Sequence, residues 1–187
     1  KLVISPHVLR WLEGRFPGPF HVVPQTIRLA DFAPGPERPG PCNPPVVGIV
    51  GPFEAAMKGV PVALEALRLI RASGIPAALH RVSQSPRSEA EARLGSCQGY
   101  WTALPVAHMG DFYRGLDLLL FASEPEEGWG LPPLEAMAAG VPTVVTSGGG
   151  VGPASARGDG GWSAYRRHER RRGGACLRSR RWRLECL

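Results

Sequence analysis

Asp117-Leu118-Leu119-Leu120-Phe121 and, after four intervening residues, Glu126-Glu127-Gly128-Trp129-Gly130-Leu131-Pro132-Pro133-Leu134-Glu135-Ala136-Met137-Ala138-Ala139-Gly140-Val141-Pro142 decide the fold of this 187-residue chain. The first run is short, unbroken and apolar, the pattern of a strand buried on both faces of a parallel sheet. It delivers the chain to a loop where Gly128 and Gly130 leave the backbone free to adopt conformations closed to other residues. A helix then opens. Pro132 and Pro133 are tolerated in its first turn, where a missing N–H loses no intrahelical partner, residues 134–139 are strong helix formers, and Gly140 stops it. Residues 142–146 read as the next strand.

The same alternation extends upstream. Val46-Val47-Gly48-Ile49-Val50 reads as a buried strand, residues 51–59 as a loop, and residues 62–73 as an amphipathic helix with Val62, Leu64, Ala66, Leu67 and Ile70 on its apolar side. Residues 77–82 predict another strand. A short helix is expected over 88–94, capped by Ser88 with Glu91 three residues on, and a further helix over 109–116. This is the order of an α/β fold with a doubly wound parallel sheet, whose ligand loops gather at the carboxyl ends of the strands.

Those loops carry chemistry. The unpaired N–H groups and positive dipole end of the helix after Gly130 favour phosphate oxygens, and the loop glycines let a ligand approach the backbone. Glu127 and Glu135 flank the turn, and a carboxylate accepts two hydroxyl hydrogen bonds at once, which suits vicinal diols on ribose or hexose. A polyhydroxylated, phosphorylated ligand fits this set. The Gly148-Gly149-Gly150 triplet allows two readings, a plain flexible turn or a close approach to phosphate or sugar. His80 and His108 are isolated and read as core or surface histidines.

The segment from Glu127 to Pro142 resembles the Glu, seven residues, Glu motif of the retaining GT-B glycosyltransferases of the group 1, family 4-like kind, with Trp129 where that family usually has Phe. The resemblance implies a Rossmann-like carboxyl-terminal donor-binding domain over residues 46–156. It implies that Glu127 lies near the donor sugar as the catalytic residue, that Gly128, Trp129, Gly130 and Leu131 offer backbone amides to sugar and phosphate, and that Glu135 binds the ribose. In the same family a glycine turn and a Lys-Gly pair hold the nucleotide diphosphate, which assigns Gly51 and Lys58 to donor binding. The pair is not a P-loop, because the order is Lys-Gly and no Ser or Thr follows. Where the family often carries Arg after the turn glycine, this chain has Pro52. The implied reaction is metal-independent hexosyl transfer, with retention, from a nucleoside diphosphate sugar to an acceptor hydroxyl, with no cofactor beyond that donor substrate.

The flanks differ from the centre. Residues 1–33 read as the last elements of a preceding α/β domain, a remnant of the acceptor domain with the crossover at Pro24-Gln25-Thr26-Ile27. Residues 34–45 hold six prolines and two glycines and read as an irregular linker. The family's amino-terminal domain supplies most of the acceptor site, so the chain is expected to be incomplete for catalysis. Residues 157–187 hold ten arginines and three acids, a balance of +7, while the remaining 12 basic and 13 acidic residues give −1. That tail shows little helical or strand periodicity around 162–174. It reads either as a basic arm for nucleic acid or anionic lipid, with Trp162, Tyr165 and Trp182 stacking on bases, or as out-of-frame translation of GC-rich coding sequence beginning near Asp159. The second reading makes nucleic acid an unexpected partner; a non-catalytic nucleotide-binding or basic interaction module is the alternative function.

Composition bounds the rest. Hydrophobic residues make up 43% of the chain, enough for one core. No run of eighteen apolar residues predicts a membrane span and the amino terminus does not read as a signal peptide. Cys42, Cys97, Cys176 and Cys186 have neither metal-ligand spacing nor a dense disulfide pattern, which predicts cytoplasmic thiols.

Overall fold

The computed structural model describes residues 1–36 and 40–146, together with the backbone of two strands at 163–166 and 182–185. Its centre is a five-stranded, all-parallel sheet. The strands are β3 (Val46–Val50), β4 (Ala78–Ser83), β5 (Gly99–Thr102), β6 (Leu118–Phe121) and β7 (Thr143–Val145), in the spatial order β5-β4-β3-β6-β7. The chain starts in the middle strand, winds outward to β5, then returns to the other side of β3 through β6. The neighbours β3 and β6 therefore enclose the topological switch point, where crossovers diverge and leave a crevice at the carboxyl ends of the strands.

Alternation along the strands sends apolar side chains to both faces. Val47, Ile49, Leu79 and Leu120 meet α2 (Val60–Ala72) through Val60, Ala63, Leu64 and Leu67. On the opposite face Val46, Val82, Leu119 and Phe121 join Met109, Phe112 and Tyr113 of α4 (Val106–Arg114) and Ala136 and Ala138 of α5 (Leu131–Ala138). Full burial of each such Val, Leu or Phe is worth roughly 1.5–3 kcal/mol. The two faces covered by helices explain why the strands read as continuous apolar runs rather than as alternating ones.

Several boundaries differ from the sequence reading. Helix α2 starts at Val60, because Gly59 takes a left-handed conformation and Pro61 fits the first turn. The core stripe is consequently Val60, Ala63, Leu64 and Leu67, at helical spacing, while Val62 and Ala66 face solvent. The predicted helix over 88–94 is only one turn, α3 (Glu89–Ala92), capped by the Ser88 hydroxyl on the Glu91 N–H. Strand β5 was not anticipated: Gly99-Tyr100-Trp101-Thr102 is a short, half-exposed edge strand and lacks the apolar run of its neighbours.

Preceding the sheet, β1 (Leu2–Val3) and β2 (His21–Val22) form a separate parallel pair connected through α1 (Pro6–Leu12), which Ser5 caps by accepting from the Val8 N–H. A 3-10 turn at Leu29–Phe32 then brings Phe32 into the core beside Tyr113, and the Arg114 guanidinium donates to the Ala33 carbonyl. Within the Arg-rich tail, β8 (Ser163–Arg166) pairs antiparallel with β9 (Trp182–Glu185), in register from Ser163 opposite Glu185 to Arg166 opposite Trp182. β8 departs from the reading of little strand periodicity around 162–174; its partner segment, Trp182-Arg183-Leu184-Glu185, alternates apolar and charged residues, as a strand does. The Gly148-Gly149-Gly150 triplet and the rest of the tail lie outside the described residues.

Candidate functional site

Two loops leave the sheet at the switch point. The first follows β3. Gly51 has φ +128°, donates its N–H to Val82 O at 2.9 Å, and accepts at its carbonyl from the Arg81 guanidinium at 3.0 Å. Arg81 is wholly buried in β4 and also donates to Glu91 Oε1 at 2.7 Å and to Ile49 O at 2.9 Å. The turn at Gly51 is thereby fastened to the neighbouring strand. Arg81 and Glu91 were missed as partners by sequence reasoning; the signal was a cation inside the apolar run 77–82 with an acid ten residues on.

The loop then makes a 3-10 turn at Ala56–Lys58. Gly59, which follows, has φ +58°, and a Cβ placed on it would stand 1.6 Å from the Ala122 carbonyl oxygen at the end of β6. Only glycine lets these two backbones touch. That contact brings Lys58 across the crevice, its stem packed over Gly51, where an added Cβ would lie 3.3 Å from Lys58 Cβ.

The second loop follows β6. Its backbone is tied to the first by Glu124 N–H donating to Met57 O at 2.9 Å, and to the residue just after β7 by the Thr146 hydroxyl donating to the Ser123 carbonyl. Glu127 N–H donates to Glu124 O at 3.0 Å, which turns the Glu127 side chain back to the first loop. There the Lys58 ammonium donates to Glu127 Oε2 at 2.6 Å, with the carboxylate side chain only 11% exposed. Gly128 lies beneath the amino-terminal unit: an added Cβ would approach Ile4 Cδ1 and Val8 Cγ2 at 3.1 Å each. Trp129 buries its ring, so what it leaves toward the crevice is backbone.

Gly130, with φ +75°, caps α5, which begins at Leu131 with both prolines in its first turn. Pro132 and Pro133 have no N–H to offer, so the groups at this helix start without an intrahelical acceptor are the N–H groups of Gly130 and Leu131. Glu135 follows on the same helix, half-buried. Its Oε2 accepts from the hydroxyl of Tyr113 at 2.7 Å, across the α4–α5 contact. Burial pushes the Glu135 carboxyl above its ordinary range, and the Tyr113 hydrogen bond opposes that rise. The Tyr113 phenol is held well above its ordinary value by burial and by the Glu135 charge, so it remains a donor.

The structure thus brings Gly51, Lys58 and Glu127 into one cluster with the loop 128–131 beside it, while Glu135 is fixed separately by Tyr113. His80 is partly buried with its ring edge-on to Trp101, burial lowering its pKa, and His108 is exposed on α4. Among the described residues no group of three His, Cys, Asp or Glu side chains is arranged to hold a metal ion, and no helix is long and apolar enough to cross a membrane.

None of the curated proteins compared with this chain matches it. Solved structures do match, at identities that speak to fold alone. Sucrose-phosphate synthase from Thermosynechococcus elongatus is 24% identical with a TM-score of 0.59, covering 80% of this chain and 41% of its own. A glycosyltransferase from Rickettsia africae is 18% identical with a TM-score of 0.63, covering 82% of this chain and 45% of its own. TarM from S. aureus, in a complex with UDP among its ligands, is 13% identical with a TM-score of 0.60, covering 85% and 32%. The chain spans less than half the length of each of these structures. The family model for glycosyl transferases group 1 matches residues 44–170, a span that takes in the whole sheet and both loops of the switch point. The chain belongs to the group 1 glycosyltransferases.

Proposed function

We propose that residues 46–156 bind a nucleoside diphosphate sugar and present its anomeric carbon to an acceptor hydroxyl, the transfer proceeding with retention. The observation that carries this reading is the meeting of Lys58 and Glu127, from two different loops, over the crevice between β3 and β6. In open α/β sheets that crevice is where ligands bind. Lys58 neutralises the diphosphate, and its charge counts most as the sugar leaves and negative charge builds on the leaving oxygen. Gly51 and the backbone of Gly128, Trp129, Gly130 and Leu131 line the approach of phosphate and sugar. Glu127 faces the transferred sugar, and Glu135 accepts from the ribose hydroxyls. The presence of UDP in the structure of the fold relative TarM supports a nucleotide ligand. The acceptor side of the cleft belongs to chain beyond this domain, in keeping with the share of each solved relative that these residues span.

The test is calorimetric titration of the 187-residue chain with UDP, GDP and their sugar conjugates, with circular dichroism of the same sample. The expected result is saturable binding to a folded chain, weakened by Lys58→Met. A folded chain that binds none of these ligands overturns the donor-site reading.

A further inference from the structure

We propose that Tyr113 is a positioning residue for ribose recognition: its buried hydroxyl engages one carboxylate oxygen of Glu135 and leaves the other aimed at the ribose diol of the bound nucleotide. This deepens the donor-site reading and rests on Glu135 being the ribose acceptor.

The geometry is specific. Tyr113 lies in α4 with its side chain entirely enclosed, the ring packed between Phe32 at 6.1 Å and Phe112 at 5.4 Å, centroid to centroid. A ring so held has little rotational freedom, so its hydroxyl is a fixed donor. That donor meets Glu135 Oε2 at 2.7 Å. Glu135 is the second residue after a proline pair on α5 and, being half-buried, has both a protein-facing and a solvent-facing side. A free glutamate samples several rotamers and loses them on binding; one oxygen anchored from beneath removes that cost before the ligand arrives. Burial and the neighbouring carboxylate hold the phenol well above its ordinary pKa, so the hydroxyl keeps its proton as a donor. A tyrosine hydroxyl that served only to fill the core would be an expense, because a buried hydroxyl needs a partner; a phenylalanine would fill the same space.

The experiment compares UDP and GDP with their 2′,3′-dideoxy counterparts by calorimetry on four chains: unmutated, Tyr113→Phe, Glu135→Ala and the double variant. The unmutated chain should bind the ribonucleotide about tenfold or more tightly than the dideoxy form, the worth of one hydrogen bond to a charged group. Tyr113→Phe should narrow that gap several-fold, leave dideoxynucleotide affinity unchanged, and have no further effect in the Glu135→Ala background. Equal loss for both ligand forms, or an undiminished loss in the Glu135→Ala background, shows a structural role and overturns the proposal. An unmutated chain that binds both forms equally instead overturns the ribose reading of Glu135, and the positioning role falls with it. Should Tyr113→Phe not fold, the hydroxyl proton resonance of Tyr113 in the unmutated chain decides. A shift with the ribonucleotide and none with the dideoxy form supports the proposal, and the same response to both overturns it.

Discussion

The Lys58 ammonium stands 2.6 Å from Glu127 Oε2, closing an ion pair between loops that leave the sheet at β3 and at β6, 69 residues apart in sequence. Each side chain is placed by backbone contacts rather than by its own packing. Gly59 pressed on Ala122 carries Lys58 to the crevice, and the Glu124 to Met57 hydrogen bond carries the Glu127 loop to meet it. The pair therefore reports the closeness of two strand ends more than it stabilises the fold. Its partial exposure limits its own contribution to about 1 kcal/mol.

An incoming diphosphate must compete with Glu127 for the lysine. Glu127→Gln removes that competitor and should raise affinity for UDP or GDP, by about fivefold if the pair is worth about 1 kcal/mol. Lys58→Met should lower it by roughly 10–100-fold, the range expected when a charged donor to an anion is lost. Calorimetry on both variants checks the two signs; a Glu127→Gln chain with weakened diphosphate binding would mean that Glu127 helps to hold the diphosphate.

Arg81 and Glu91 form the other decisive pair, at 0% and 2% side-chain exposure. Arg81→Met leaves a carboxylate buried with its strongest partner gone and should cost about 3–5 kcal/mol in urea unfolding. Arg81→Met combined with Glu91→Leu removes both charges and should recover most of that loss, the bonds still missing being those from Arg81 to the carbonyls of Ile49, Gly51 and Val82 and from the Tyr100 hydroxyl to Glu91. Because Gly51 O is one of the bonds broken, the double variant should still bind nucleotide less well than the unmutated chain.

Much of this was legible in the residues. Strands β3, β4 and β6 are apolar because both faces are covered, and Lys58, Glu127 and Glu135 stand in a recognisable motif. What escaped has a common cause: it depends on partners distant in sequence. Strand β5 has no apolar period of its own and exists because β4 offers it an edge, with His80 opposite Gly99 through Ser83 opposite Thr102. Arg81 falls in the strand expected over 77–82, but its partners, Glu91 and the carbonyls of Ile49, Gly51 and Val82, are visible only in the fold. Tyr113 falls inside the helix expected over 109–116, and nothing in its neighbourhood along the chain announces Glu135, 22 residues on. The phase of α2 slipped for a local reason, since the left-handed turn at Gly59 starts the helix before its first conspicuous apolar run.

Gly59 offers a test of the close contact that brings the loops together. Both Gly59 and Gly74 have positive φ, +58° and +86°, but an added Cβ at Gly74 meets nothing within 4 Å, whereas at Gly59 it runs into the Ala122 carbonyl. Gly74→Ala should therefore cost only the backbone term of about 1–2 kcal/mol. Gly59→Ala should cost clearly more and also weaken nucleotide binding, because relieving the clash moves Lys58. Equal urea midpoints for the two variants would show that the backbones at Gly59 and Ala122 are free to separate.

Glu135 supplies the pH dependence. Burial raises its carboxyl pKa above the value in an unfolded chain, the Tyr113 hydroxyl only partly offsetting this, so the folded state holds the proton more tightly than the unfolded state does. A group of this sign favours folding below its unfolded pKa and loses that contribution as pH rises through its folded pKa. At neutral pH the charged side chain is a net burden. Glu135→Gln keeps an oxygen for the Tyr113 hydroxyl while removing the charge, so it should melt at a higher temperature than the unmutated chain at pH 7. The advantage should shrink as pH falls into and below the ordinary glutamate range, where the unmutated side chain is itself neutral. Paired thermal melts across that interval isolate the one group, because every other titration is common to both chains; an advantage that stays constant with pH would place its origin in packing instead of charge.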